Sequence, residues 1–199
     1  LICLMSHTMP AVFLNRLLPT FLVFIIFSNA ISQTSEKTKY SLASDISPLA
    51  YNGYSLKLGV IPKACPQTEL ALEIFSIDIP ELIIKANEAN ANKGWSEIVE
   101  PGIALYFDRK IGANQNALWV GGGIVYLNHF AHKQNEQNEF QQLEYLLRVN
   151  YKWYPFENKG FYLNPYFAFA YRHKVSGDNG SYDLNPFLVI PSVYLSWEI

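Results

Sequence analysis

Residues 143–153 read LEYLLRVNYKW, and the way this stretch alternates decides the fold. Leu143, Tyr145, Leu147, Val149, Tyr151 and Trp153 fall on one side of an extended chain, and Glu144, Leu146, Arg148, Asn150 and Lys152 on the other. A strand sends successive side chains to opposite faces, whereas a helix would mix the two sets around its circumference. The segment is therefore a strand with one apolar face and one polar, charged face.

The same pattern recurs downstream. Phe161, Leu163, Pro165, Phe167, Phe169 and Tyr171 alternate with Tyr162, Asn164, Tyr166, Ala168, Ala170, Arg172 and Lys174. Phe187, Val189, Pro191, Val193, Leu195, Trp197 and Ile199 alternate with Leu188, Ile190, Ser192, Tyr194, Ser196 and Glu198. Ile103, Leu105 and Phe107 do so with Ala104, Tyr106 and Asp108. Residues 117–129 (ALWVGGGIVYLNH) are strand-like, and their three glycines ask for close backbone approach or a bend. Period-2 segments bounded by turn residues predict about eight strands, near 38–46, 50–62, 68–83, 95–108, 116–129, 140–155, 160–175 and 183–199. The first two are the weakest. Residues 79–93, with Pro80 placed for a first helical turn, could start a helix, although their Asn-rich end favours a loop. Short turns at 112–116 (GANQN) and 157–160 (ENKG) alternate with polar loops at 87–94, 129–139 and 176–181.

Composition sets outer limits. The chain has 199 residues, half of them hydrophobic, and a formal charge of −2. That length is one domain, or two small ones at most, and with no basic surplus a nucleic-acid partner is not expected. Two cysteines, Cys3 and Cys65, make neither a disulfide framework nor a four-ligand zinc site. Met5 or Met9 reads as the start; Arg16, the apolar run Leu17–Phe27 and then Ser28-Asn29-Ala30 have the order of a cleaved export signal, so residues 1–30 are expected to be a signal peptide. A helix of that run covers about 16 Å, half a bilayer core.

Two-faced strands can put their apolar rows together, as in a soluble sandwich, or against lipid, as in an outer-membrane barrel. Three features favour lipid. Leu143–Trp153 extends about 34 Å, enough to cross a bilayer at barrel tilt. Aromatic residues gather beside the short turn, with Trp153, Tyr154 and Phe156 before it, Phe161 and Tyr162 after it, and Trp197 near the chain end, as an interfacial girdle would. Short and long connections alternate, as expected if one side faces the periplasm and the other the exterior. The fold expectation is thus all-β: an antiparallel, up-and-down transmembrane β-barrel of about eight strands. Asp108, Glu144, Arg148, Lys152, Arg172, Lys174 and Glu198 then point into a lumen just wide enough for side chains, where they must pair and plug it.

From Lys39 to Ile199 the chain resembles the small eight-stranded outer-membrane barrel proteins of Gram-negative bacteria, in architecture rather than by a motif. The resemblance implies an outer-membrane location, contact with outer-membrane lipid and lipopolysaccharide, and reading of the C-terminal strand by the barrel assembly machinery. That strand usually ends in Phe or Trp; here it ends in Ile199, and Trp197 is the nearest substitute. It also implies a structural role, or a binding role carried by the loops.

Chemistry is sparse. His129, His132, Glu136 and Glu139 could ligate zinc or copper only if something oriented them, and a solvated loop is the simpler reading. His173, Ser176 and Asp178 or Asp183 suggest a lipid A acyl hydrolase, but a Ser-Gly-Asp-Asn-Gly run reads first as a turn. Gly121–Gly123 precede a strand rather than a helix, so they are no nucleotide cradle, and no cofactor is expected. The alternative from another class is a secreted, lipocalin-like soluble barrel or sandwich that binds a hydrophobic ligand; it would bury Leu147, Phe167 and Val193 and wet Arg148 and Arg172. Pro165, Pro186 and Pro191, each lacking a ladder N–H inside an expected strand, weigh on that side unless bulges absorb them.

Overall fold

The computed structural model describes residues 37–156 and 160–199; the expected export signal lies outside these, as does most of the 157–160 turn. The described chain is an antiparallel, up-and-down sheet of eight strands that closes in a ring. In chain order it runs β1 (Lys39–Asp45), α1 (Ile46–Ala50), β2 (Tyr54–Ile61), β3 (Thr68–Asp78), α2 (Glu81–Ala86), β4 (Ser96–Ile111), β5 (Ala117–Lys133), β6 (Glu136–Lys152), β7 (Phe161–Gly177) and β8 (Phe187–Glu198). Each strand pairs with the next, and β1 closes on β8 from Ser41–Glu198 to Asp45–Tyr194. One end of the ring carries the connections 62–67, 112–116 and 153–160 (the short-turn end). The other carries 46–53, 79–95, 134–135 and 178–186 (the long-loop end).

Burial alternates along every strand, with the apolar row outward and the charged row inward. Leu147 is 68% exposed and Phe167 65%, while Arg148 is 2% exposed and Lys152 1%. Leu56, Leu58, Leu70, Leu72, Leu105, Leu118, Val149, Phe169, Val189 and Leu195 continue the outward apolar row around the ring. Inside stand Lys57, Glu69, Glu73, Asp108, Glu144, Asn150 and Asn164, with small residues such as Ala71, Ala104, Ala168 and Ala170 filling gaps.

Several element ends differ from the sequence expectation. The polar stretch 129–139 is not a loop. β5 continues to Lys133 and β6 begins at Glu136, joined by Gln134 and Asn135, with Gln134 taking the positive φ (44°) that the tight turn demands. Polarity does not end these strands, because His129 and Phe140 still point in and stay buried while His132, Gln137 and Glu139 point out. β3 stops at Asp78 rather than 83, since Pro80 opens a helical turn at Glu81–Ala86. β4 runs on to Ile111, and α1 occupies 46–50 between two shorter strands.

The prolines fit the ladders. Pro186 precedes β8. Pro165 sits where the β6–β7 ladder is interrupted, between the Asn150–Tyr166 pair and the Trp153–Leu163 bridge. Pro191 lies beyond the last β1 partner of β8, Asp45–Tyr194, so that side of β8 has no strand to lose a bond to.

The glycine triplet provides room. A Cβ at Gly121 would meet the Phe107 carbonyl at 2.0 Å and Asp108 Oδ1 at 2.4 Å, and one at Gly123 the Tyr106 ring at 2.6 Å. Both glycines let large groups of β4 lean into the ring.

Candidate functional site: the interior of the ring

The polar faces of eight strands meet in the interior, where every charge must find a partner. At mid-height, β4 and β6 bring Asp108 and Arg148 together. Arg148 Nε donates to Oδ1 at 2.9 Å, Nη2 donates to Oδ2, and the guanidinium lies 3.9 Å from the centroid of the Tyr106 ring. Beside them Glu73 accepts from Ser55 Oγ (2.5 Å), Tyr106 Oη (2.9 Å) and Tyr194 Oη (2.8 Å). Asp45 accepts from the Ser47 N–H of α1 (2.8 Å), Ser192 Oγ (2.5 Å) and Tyr166 Oη (2.7 Å). Three hydroxyl or amide donors around each carboxylate replace the hydrogen bonds it would make to water.

Toward the long-loop end, Arg172 Nε lies 2.6 Å from Glu144 Oε1. Above this pair, His129 Nδ1 meets Glu97 Oε1 at 2.5 Å, the imidazole stacks on Phe140 at 4.8 Å, and Tyr182 Oη donates to Glu97 Oε2 at 2.5 Å. Tyr182 comes from the 178–186 loop; burial and then the charge of Glu97 push its hydroxyl well above the ordinary tyrosine range, so it remains a donor. Ile84, Trp95, Ala131, Phe140 and Tyr182 form a small apolar core there. Asp183 ties the 178–186 loop to 79–95, accepting from Asn87 Nδ2 (2.9 Å) and donating its N–H to Asn90 Oδ1 (2.8 Å).

Toward the short-turn end, Glu69 Oε2 serves Lys152 Nζ (3.1 Å) and Lys57 Nζ (3.8 Å), while Ser41 Oγ donates to Oε1 (2.7 Å). Lys152 Nζ lies 4.2 Å from the Trp119 ring centroid and 5.0 Å from that of Tyr162. At the mouth, Glu198 pairs with Lys39 (2.8 Å) and accepts from Tyr154 Oη (3.0 Å).

Of the seven charges expected inside, Asp108 meets Arg148 and Glu144 meets Arg172, Lys152 is buried against Glu69, and Glu198 stands at the rim. Lys174 is a correction. It is exposed where β7 rises past the interior, and its Nζ donates to Asn179 Oδ1 at 2.7 Å. Of the six girdle residues, Trp153, Phe156 and Trp197 are exposed and Phe161 is half-buried among them. Tyr162 is a correction: it is buried inside the ring, its even number placing it on the inward row, and Tyr154 packs on it at 4.9 Å. Lys57, Glu69, Glu73 and Asp45 did not figure among the expected site residues, although TELALEI (68–74) sets Glu69 and Glu73 against Leu70, Leu72 and Ile74.

The His129 and Glu139 set is not assembled. His129 faces in, whereas His132 faces out, with its Nε2 2.7 Å from Ser96 Oγ, and Glu136 binds Ser181. No group of three or more His, Cys, Asp or Glu side chains among the described residues could hold a metal. His173, Ser176, Asp178 and Asp183 are likewise apart: Ser176 Oγ donates to Gln141, Asp178 accepts from the Gly180 N–H, and Asp183 binds Asn87. Searches of protein-family models, curated proteins and solved structures return no match to this chain.

Proposed function

We propose that the protein is an integral outer-membrane β-barrel whose plugged lumen makes it a rigid platform for the loops at its long-loop end. One observation carries the reading: the apolar row faces outward on every strand while the charged row is buried. A water-exposed surface of that kind would be a continuous apolar patch far beyond what soluble monomers tolerate, whereas hydrocarbon stabilises it. The outward face also has bounded height. On β6 the apolar row runs from Leu143 to Trp153, and beyond it Gln137, Glu139 and Gln141 are polar. Eleven residues at barrel tilt rise about 25 Å, the height of an outer-membrane apolar band. Trp153, Phe156, Phe161 and Trp197 cluster at the short-turn edge of that band.

In this reading an export signal precedes the barrel, lipid and lipopolysaccharide surround it, and the assembly machinery reads β8 through Trp197. The role is structural or loop-mediated binding rather than enzymatic. The soluble ligand-binding alternative needs an apolar inner wall, and the inner wall here is ionic. Fractionation tests the proposal: the protein stays with membranes through an alkaline carbonate wash and migrates faster on a gel unheated than boiled. Release into the wash, with one mobility in both samples, refutes it.

A further inference from the structure

We propose that the connection 46–53 does not stand among the exposed loops: α1 lies in the hydrocarbon of the leaflet at the long-loop end, as a panel of the wall whose partner is lipid acyl chain. The inference rests on the membrane reading above and places one segment within it. Residues 46–53 read ISPLAYNG and carry no charge, whereas the connections 79–95 and 178–186 hold Glu81, Lys85, Glu88, Lys93, Asp178 and Asp183. Ile46, Leu49 (56% exposed), Tyr51 and the following Tyr54 are exposed, while Pro48 is buried and Ser47 Oγ lies 2.5 Å from Ser192 Oγ. The turn satisfies its own backbone. Asp45 Oδ1 accepts from the Ser47 N–H (2.8 Å), and the Pro48 carbonyl accepts from the N–H groups of Tyr51 (3.0 Å) and Gly53 (2.7 Å). A segment that leaves the strand ladder inside hydrocarbon has to meet that condition.

The register sets the height of α1. Partners followed strand by strand from β1 run Ala43, Lys57, Glu73, Ala104, Val125 and Glu144. Glu144 opposes Arg172, whose N–H meets the carbonyl of Pro186, just before β8. Ala43 itself pairs with Ser196. One circuit of the ring therefore climbs ten residues (196 − 186) toward the long-loop end, which is about 25 Å at barrel tilt, or about 3 Å per strand. Ala43 then lies about 15 Å below Glu144, and Glu144 adjoins Leu143, the upper end of the apolar row of β6. β1 stops at Asp45, so α1 starts on the order of 10 Å below the upper edge of the apolar band. Polar side chains return where Asn52 Nδ2 donates to Asp78 Oδ2 at 3.1 Å, and Tyr51 beside them has the place of an interfacial phenol. The long-loop end is lopsided: β5 and β6 rise past the band with Gln137 and Glu139 outward, whereas the wall at α1 ends within it.

Depth-dependent quenching tests the placement. In the full chain carrying Cys3→Ser and Cys65→Ser, Leu49→Cys, Leu147→Cys and Asn135→Cys each take a small fluorophore, and each protein is inserted into phosphatidylcholine vesicles with or without bromine on the acyl chains. The label at position 49 is expected to lose most of its emission to brominated chains and to keep it in aqueous iodide, as the label at 147 does on the strand wall. The label at 135, on the β5–β6 turn, does the reverse. Ile46→Cys repeats the reading from the same turn should Leu49→Cys fail to fold. A label at 49 that iodide quenches, with the label at 147 still quenched by brominated chains, refutes the placement of α1 and leaves the membrane reading standing. Iodide quenching at all three positions refutes both.

Discussion

At the long-loop end and mid-height of the interior, each carboxylate is met by donors of its own: Asp45 by two hydroxyls and an amide, Glu73 by three hydroxyls, Glu97 by an imidazole and a phenol, and Glu144 by a guanidinium. Toward the short-turn end two lysines share one carboxylate, and Lys152 lies over the rings of Trp119 and Tyr162. Tyrosine explains the difference. A phenol donates a hydrogen bond without adding a charge, so Tyr106, Tyr166, Tyr182 and Tyr194 can satisfy acids while leaving the charge count alone. Lysine brings a full charge with each donor. The first arrangement gives each acid its own donors; the second sets two ammonium groups against one buried carboxylate.

The largest expected effect breaks the closed arrangement at its centre. Arg148→Met leaves Asp108 buried without its ion-pair partner and costs about 3–5 kcal/mol of unfolding free energy. Arg148→Met with Asp108→Leu recovers most of that loss, since removing both charges also removes both desolvation costs. Urea unfolding in detergent micelles measures both. Equal losses in the single and double variants would mean that the pair acts through packing alone. Gly121→Ala reaches the same pair from the backbone side. The added Cβ meets Phe107 and Asp108, and the overpacking costs about 1–3 kcal/mol in the same assay.

These positions also show how far the sequence reaches. Alternation in LEYLLRVNYKW was enough to put Arg148 and Lys152 inside, because a strand's period is 2 wherever it is paired. The same logic puts Glu69 and Glu73 of TELALEI and Lys57 of YSLKLGV (54–60) on inward rows, and of these two strands only β2, at eight residues, is short. Polar composition hid the upper thirds of β5 and β6, since a strand that rises beyond an apolar band no longer needs apolar residues on its outward face. Position misled at Tyr162: closeness to a turn suggested the girdle, while parity put it on the inward row. The clasp between Asp183 and Asn87/Asn90 joins segments more than 90 residues apart, and no local pattern encodes it.

That clasp and the phenol beneath it sharpen the comparison with a smaller effect. Tyr182→Phe keeps the ring against Trp95, 5.3 Å away, but removes a donor to Glu97. The expected cost is about 1 kcal/mol, felt as loosening of the 178–186 loop rather than of the ring. Limited proteolysis should cut that loop about fivefold faster, with the urea midpoint nearly unchanged. A falling midpoint with no change in nicking would place Tyr182 in the global core instead.

The smallest effect comes from two residues on one row of β7. Arg172 and Lys174 have the same parity, and sequence alternation treats them alike. Arg172 reaches Glu144 beneath the loops, while Lys174 has passed the level of the interior and donates to Asn179. Arg172→Ala removes the guanidinium partner of a buried carboxylate and costs about 1–3 kcal/mol. Lys174→Ala removes an exposed contact and stays within about 0.5 kcal/mol of the unaltered protein. If Lys174→Ala destabilised as much as Arg172→Ala, the inward row would keep its ionic character to the end of the strand, and height along β7 would no longer separate the plug from the rim.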